Sequence, residues 1–497
     1  MDLKHLSLDD TIVACATPPG MGAIAVIRLS GPHAIQLSEA VFRPFKEGKK
    51  LSEVKSHTAH FGAIVDDSGW TIDDGKSEKK ELIEDRRPST VIDEVLINVF
   101  HEGKSFTGEE TIEISCHGST YIVQAILQLL IKKGARPADA GEFTMRAYRN
   151  GKFDLAQAEA VADLIHSTSK ASAQLALNQL RGGVSSEISK LREQLMNFAG
   201  LIELELDFSE EDVEFADRTQ FMELIQRIQS TLKGLMDSFQ LGNAIKNGIP
   251  VAIVGEPNVG KSTLLNALLN EDRAIVSDIA GTTRDVIEDQ VNFGGITFRF
   301  IDTAGIRETQ DEIESKGIEK TFQKIQQAQI VLYIVDGLNV QTMDDRRWTI
   351  EVEKLKKQFP EKHIITIMNK ADLISTDKSA ADPERHSIVH GLSSIDLQIS
   401  AKENMGIEEL KNKLTSFIDL GKINQGDIVI TNARHFNSLE LANENLQRVL
   451  SAMNQGLPGD LLAIDIRAAL QHLGEITGEI TTDDLLGHIF SKFCIGK

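Results

Sequence analysis

Nine residues near the middle of the chain, GEPNVGKST from Gly255 to Thr263, restrict the fold more than any other stretch. They satisfy the pattern G-x-x-x-x-G-K-[ST], with the apolar run IPVAIVG before them and a helical pattern after, so strand, glycine turn and helix follow in order. Around that turn, short apolar runs alternate with helical patterns. IPVAIVG, FRFIDTAG, IVLYIVDG and HIITIMNK read as buried parallel strands, each ending at a turn or a polar motif. Residues 247–418 are therefore expected to form an α/β domain.

Proline sets the frame on either side. The chain has 11, and none lies between Pro137 and Pro250. Within that gap, FDLAQAEAVADLIHSTSKASAQLALNQL and SSEISKLREQLMNFAGLIELELDF repeat apolar residues every three or four positions, as amphipathic helices do. A second helical stretch, NSLELANENLQRVLSAMNQ with DLLAIDIRAALQHLGEITG, follows residue 430. The first 150 residues differ: DTIVACATPPGMGAIAVIRLSG and VIDEVLINVF have strand composition broken by turns, and acid-rich Asp66 to Asp85 suggests a solvated loop. The expected architecture is multidomain, with an α+β N-terminal domain (1–151) and an all-α helical domain in two parts (152–246 and 419–497). An α/β P-loop domain (247–418) is inserted between those parts.

A chain of 497 residues exceeds one ordinary core, and about two to four domains are expected. No run approaches the roughly 18 apolar residues of a membrane span. The opening MDLKHLSLDD lacks the apolar core of a signal peptide. Cys15, Cys116 and Cys494 are too few and too scattered for a disulfide framework or a zinc site, so a reducing cytoplasm is the expected setting. The net charge of −21 argues against coating nucleic acid through bulk charge, and leaves room for a local basic groove.

The glycine turn implies phosphate binding. Gly255 and Gly260 let backbone N–H groups face phosphate oxygens, and the following helix adds the positive end of its dipole. Lys261 is placed to reach the β- and γ-phosphates and Ser262 to ligate Mg²⁺, with Asn258, Val259 and Thr263 completing the loop. Chance would produce the bare pattern in about one chain of this length in fifty. Asp302, Thr303, Ala304 and Gly305 (DTAG) suit the magnesium side and the γ-phosphate. Asn369, Lys370 and Asp372 (NKAD) suit guanine, because a carboxylate accepts from both N1–H and the exocyclic amine, which adenine cannot offer. Ser400, Ala401 and Lys402 (SAK) stand where a loop backs the guanine oxygen. The expected ligand is GTP with Mg²⁺. Ile306 follows the DTAG glycine and cannot polarise water, so the group that drives hydrolysis must come from elsewhere.

Taken together, DTIVACATPPGMGAIAVIRLSG, SFTGEETIEISCHGS, GEFTMRAYRNGKFDLAQAEAVADLI, the switch sequence GTTRD and the closing Cys-x-Gly-Lys resemble the tRNA-modification GTPases called MnmE or TrmE over nearly the whole length. The resemblance implies a folate-binding, constitutively dimerising N-terminal domain, a helical domain completed by the C-terminal segment, and an inserted G domain. It implies a homodimer that joins the flavoprotein MnmG in a heterotetramer or larger complex. Together they place a (carboxymethyl)aminomethyl group on C5 of wobble uridine 34 in certain tRNAs. A 5-formyl- or methylene-tetrahydrofolate would supply the carbon, FAD would sit on the partner, and glycine or ammonium would give the amine.

By the same resemblance, Thr283 is a switch magnesium ligand, and Asn258, Ser277, Ile279 and Thr282 hold K⁺ in a loop that includes Asp278, Ala280 and Gly281. Ser277 stands where a threonine is expected and keeps the hydroxyl oxygen. Glu314 matches a glutamate that orients the attacking water; by spacing alone it reads as a solvated charge in an acidic helix. Arg28, Glu113, Lys152 and Lys497 fall at folate-contacting positions.

The chain closes SKFCIGK, which puts Cys494 where a prenylation box would place its cysteine. Gly496 is not aliphatic, Lys497 is not a usual terminal residue of such a box, and no basic run precedes it. The tail instead matches the family motif that returns to the folate site, making Cys494 a candidate nucleophile or acid/base group; the bland alternative is a small buried residue. A GTP-regulated assembly protein is the rival reading, and the folate-type N-terminal domain and the tail tell against it.

Overall fold

The computed structural model describes residues 9–46, 50–66, 90–207, 218–271, 289–301, 322–340, 347–373, 395–417 and 428–496. The chain forms two compact units, Met1–Ala162 with Leu473–Lys497, and Asp163–His472.

The first unit is built on a seven-stranded sheet, β1 (Ile12–Cys15), β2 (Ile24–Ser30), β3 (Phe42–Pro44), β4 (Thr58–Asp66), β5 (Thr90–Phe100), β6 (Thr111–His117) and β7 (Arg136–Pro137), in the order β3-β4-β5-β6-β2-β1-β7. Its pairs are antiparallel except β1 with β7. Period-two alternation is plain in β5, where Val95, Ile97 and Val99 point into the core and Leu96 points out. The inward residues pack with Ile27, Leu29, Ile112 and Ile114 under the helices Ala34–Val41 and Thr120–Lys132. Each such side chain contributes about 1.5–3 kcal/mol by leaving water.

A buried charge network fixes the far end of this unit. Arg146, fully buried on the helix Glu142–Arg149, pairs with Asp10, Glu109 and Glu142, while Arg136 pairs with Asp10 and Glu142. Burial alone raises the Asp10 pKa, but hydrogen bonds and charge from Arg136 and Arg146 outweigh it and hold the carboxyl below its usual range. The segment Pro137–Gly141 is thereby anchored at both sides.

The second unit holds a six-stranded sheet, β8 (Ile249–Gly255), β9 (Asp289–Phe293), β10 (Ile296–Phe300), β11 (Ile330–Asp336), β12 (His363–Asn369) and β13 (Leu397–Gln398), in the order β13-β12-β11-β8-β10-β9. Every pair is parallel except β9 with β10. The four runs expected as parallel strands supply β8, β10, β11 and β12. β11 shows why it reads as a continuous apolar run: Ile330, Leu332 and Ile334 enter one core and Val331, Tyr333 and Val335 the other. The helices Lys261–Glu271 and Ile407–Ser416 cover the first face, and Arg347–Gln358 covers the second.

The expected helical stretches form Lys170–Leu180, Gly183–Asp207 and Ala433–Asn454 in this unit, and Arg218–Asn247, inside the part expected to be all-α, adds a further helix. Ser169 starts the first with a reciprocal cap to Ser172, which divides the long pattern FDLAQAEAVADLIHSTSKASAQLALNQL into two helices. The helix Arg218–Asn247 packs along Ala433–Asn454, with Phe239 and Phe436 stacked at 4.8 Å. No helix among the described residues is long and apolar enough to cross a membrane. β4 ends at Asp66, and the acid-rich stretch from Asp67 to Asp85 lies outside the described residues.

Candidate functional site

In the second unit, β8 lies between β10 and β11, which the chain fills on successive passes to opposite sides; this is the switch point where α/β sheets bind ligands at the strand C-termini. Gly255 and Gly260 turn the chain there at φ +148° and +98°. A Cβ on Gly255 would stand 2.3 Å from the Ile334 carbonyl oxygen, and one on Gly260 2.2 Å from Asn369 Nδ2, so only glycine fits either place. Asn258 is also left-handed, at φ +64°.

The phosphate loop is tied to the base-side loops through one buried amide. Asn369 Nδ2 donates to the Val259 carbonyl at 2.8 Å, and its Oδ1 accepts the Ala401 N–H at 3.0 Å. Three stretches far apart in sequence are thus fixed by a side chain that is 3% exposed. Ser400 and Ala401 are buried, whereas Asp372 and Lys402 are exposed, with Asp372 in the short 3₁₀ turn Ala371–Leu373. Lys261 Nζ lies 2.9 Å from the Gly255 carbonyl oxygen and 2.6 Å from that of Glu256. Burial lowers its pKa from the usual lysine range, and Lys324 lowers it further. Ser262 is half-buried and Thr263 exposed, both in the first turn of the helix. This cradle, with left-handed glycines at both ends of the loop and an ammonium at the helix start, fits a nucleoside triphosphate.

Ser277, Asp278, Ile279, Ala280, Gly281, Thr282, Thr283, Asp302, Thr303, Ala304, Gly305 and Glu314 lie outside the described residues, as does Lys497. Asp336, which the motifs do not flag, closes β11 and binds Lys370: Asp336 Oδ2 accepts from Lys370 Nζ at 2.6 Å. Its signal is the one that marks NKAD, a polar residue ending a buried strand.

The first unit holds the other cluster. Arg28 and Glu113 are paired across β2 and β6, and Arg28 Nε and Nη2 reach Glu113 Oε1 at 3.0 and 2.7 Å. The guanidinium lies 5.7 Å from the ring centres of both Phe106 and Phe143. The C-terminal tail closes onto this pair. Phe493 is buried with Met145, Leu155, Ile489 and Phe490, Ala140 and Ile495 form an antiparallel bridge, and the Gly141 N–H faces the Cys494 carbonyl at 3.4 Å. Gly496, at φ +93°, then places its carbonyl 3.4 Å from Arg28 Nη1. A Cβ there would meet the Cys15 carbonyl oxygen at 2.5 Å.

Cys494 is exposed, so it is not a core residue. Lys152 is also exposed and donates to the Gly103 carbonyl at 2.8 Å, in the loop that leads to Phe106. Arg28 and Glu113 are thus brought together with the tail, and Lys152 binds the neighbouring loop instead. The contacts of Phe106 and Phe143 with Arg28 were invisible in the sequence, because an isolated apolar residue reads as core, and Phe143 is indeed fully buried. Among the described residues no cluster of His, Cys, Asp and Glu could hold a metal ion.

Comparison with known proteins gives the same picture. Residues 11–152 match the family described as GTP-binding protein TrmE N-terminus, and residues 155–494 match the MnmE helical domain. The chain is 55% identical over 502 residues to the tRNA modification GTPase MnmE of Christiangramia forsetii, covering 99% of this chain and 100% of that protein. It is 56% identical over 488 residues to the protein of the same name from Flavobacterium johnsoniae, covering 98% and 99%. A third relative so named, from Bacteroides fragilis, is 49% identical over 488 residues, with 98% and 99% covered. The chain belongs to the tRNA modification GTPase MnmE family, and is a GTP-hydrolysing enzyme of tRNA modification.

Proposed function

We propose that this chain is a potassium-stimulated GTPase that works in the cytoplasm as a homodimer with a FAD-dependent partner of the MnmG type. The pair adds a (carboxymethyl)aminomethyl group to C5 of uridine 34 in certain tRNAs, and a tetrahydrofolate derivative supplies the carbon. The observation that carries this reading is the closure of the C-terminal tail on the Arg28–Glu113 pair, which makes a cysteine-bearing segment part of the cationic, aromatic-lined cluster of the first unit.

Arg28, Glu113, Lys152 and Lys497 would hold the folate. The half-buried ring of Phe106 and the carboxylate of Glu113 suit a pterin, whose ring N–H and amino groups donate to a carboxylate. Cys494, exposed beside Gly496, is the group available for nucleophilic or acid/base work on the pyrimidine. On the nucleotide side, Lys261 faces the phosphates, Ser262 and Thr283 would hold Mg²⁺, and Asn258, Ser277, Ile279 and Thr282 would hold K⁺. The monovalent cation supplies positive charge where the phosphoryl oxygens become more negative. Glu314 orients the attacking water.

The outer face of the seven-stranded sheet supports the homodimer. Val26, Ser115, Leu96 and Phe61 line up across β2, β6, β5 and β4, with Ile24 beside them, and Ile24, Leu96 and Phe61 are exposed. Such an apolar face calls for a covering surface. GTP hydrolysis in KCl and NaCl at equal ionic strength tests the hydrolytic part. A potassium preference that disappears in Asn258→Ala is expected; equal rates in both salts would remove potassium from the account.

A further inference from the structure

We propose that Asp336 is a positioning residue for guanine-nucleotide binding, acting by holding the ammonium of Lys370 at the edge of the base pocket. The proposal rests on the reading that Lys370 lies along the guanine.

Three observations meet at this point. Lys370 has φ +62°, a left-handed conformation that is uncommon for a residue with a Cβ and that persists where its surroundings over-determine it. The turn after it is fixed by the Ala371 N–H donating to the Ile399 carbonyl at 3.0 Å and the Leu373 N–H donating to the Lys370 carbonyl at 3.1 Å. The backbone is therefore set, but a lysine stem of four methylenes keeps most of its freedom unless its head is also held.

Asp336 holds that head. It ends β11 directly beside Asn369, the residue it pairs with on β12. One carboxylate oxygen takes the Lys370 ammonium at 2.6 Å, while the other accepts the Leu338 N–H at 3.0 Å, so the acceptor cannot swing away. The carboxylate is 12% exposed and the lysine 31%, enough shielding for the pair to resist screening better than a surface pair. Asp336 also lies two residues beyond Ile334, whose carbonyl limits Gly255 at the start of the phosphate loop. The order that the pair imposes is thus established before any ligand arrives, and binding need not immobilise the lysine.

The test is equilibrium binding of a fluorescent GDP to the full-length protein, with kcat and KM for GTP measured in parallel. Asp336→Asn is expected to weaken GDP binding about tenfold, the scale of fixing one long side chain, and to raise KM with little change in kcat. Asp336→Glu, which keeps the carboxylate, recovers part of the affinity. Lys370→Met also weakens binding, and adding Asp336→Asn to it changes affinity by less than about twofold, because the two residues act as one unit. Wild-type affinity in Asp336→Asn overturns the proposal. So does a full loss from Asp336→Asn on top of Lys370→Met, which marks a general structural defect while the reading of Lys370 stands. Wild-type affinity in Lys370→Met removes that reading, and the proposal with it.

Discussion

Arg28 and Glu113 face each other across β2 and β6, and two guanidinium nitrogens of the one reach a single carboxylate oxygen of the other at 3.0 and 2.7 Å. The pair is 85 residues apart in sequence and is joined by the tail through Gly496, 468 residues from Arg28. A strand register, a helix and a chain terminus therefore converge on one cation. Because Arg28 is held by Glu113 and by two rings, it stays in place as an anchor for the tail.

That arrangement makes Gly496 the sensitive point of the tail. Gly496→Ala puts a Cβ 2.5 Å from the Cys15 carbonyl oxygen and strains a φ of +93°, so the tail lifts from Arg28. Ile495→Ala, at a side chain that is largely exposed, leaves the tail seated. Proteolysis by carboxypeptidase should trim the first variant faster than the wild type and leave the second unchanged. Equal trimming of all three would refute the seating of the tail on Arg28.

Asn369→Ala tests the link between the phosphate and base loops. It leaves the Val259 carbonyl and the Ala401 N–H without their buried partner, which costs about 1–3 kcal/mol per unsatisfied group. Thermal unfolding should drop and GDP affinity should fall with it. Asp372→Ala, at an exposed position, should reduce affinity while leaving the unfolding temperature within about one degree of wild type.

Much of this was legible in the sequence, and what was missed has physical causes. β8, β10, β11 and β12 announce themselves because strands buried on both faces are dominated by apolar residues, with only isolated polar exceptions such as Thr297 and Thr366. β9 escaped because three of its five residues, Asp289, Gln290 and Asn292, are polar, as befits an edge strand. The glycine turn, NKAD and SAK were readable as chemistry, but not the amide of Asn369 that bolts them together, because side-chain bridges depend on loop approach and not on spacing. Asn258 and Lys370 adopt left-handed backbone without the glycine that usually signals it. Arg28 and Glu113 were singled out, yet only register reveals that they pair with each other.

Two groups give opposite pH responses. Burial, with the Asp93 charge second, pushes the Cys116 thiol up to about 11. The unfolded chain loses that proton near 9 while the folded chain keeps it, so the stabilising effect is complete below pH 9 and is lost as pH rises toward 11. The unfolding temperature should fall over that window, and less steeply in Cys116→Ala.

Asp10 works at the other limit. Its lowered folded pKa means that its contribution is present above the ordinary aspartate value, 3.8, and disappears as pH falls through the folded one. Asp10→Asn should therefore lower the unfolding temperature at pH 7 and flatten its acid dependence. An acid limb unchanged by the substitution would contradict the role given to Arg136 and Arg146.

The folate reading requires the C-terminal tail and the Arg28–Glu113 pair to act as one site. Equilibrium binding of 5-formyltetrahydrofolate to the full chain, to a chain ending at Phe493, and to Arg28→Ala tests it most directly. Both changes should weaken binding at least about tenfold, with GDP affinity unchanged. Wild-type folate affinity in the truncated chain, with the protein folded and binding GDP, would contradict it.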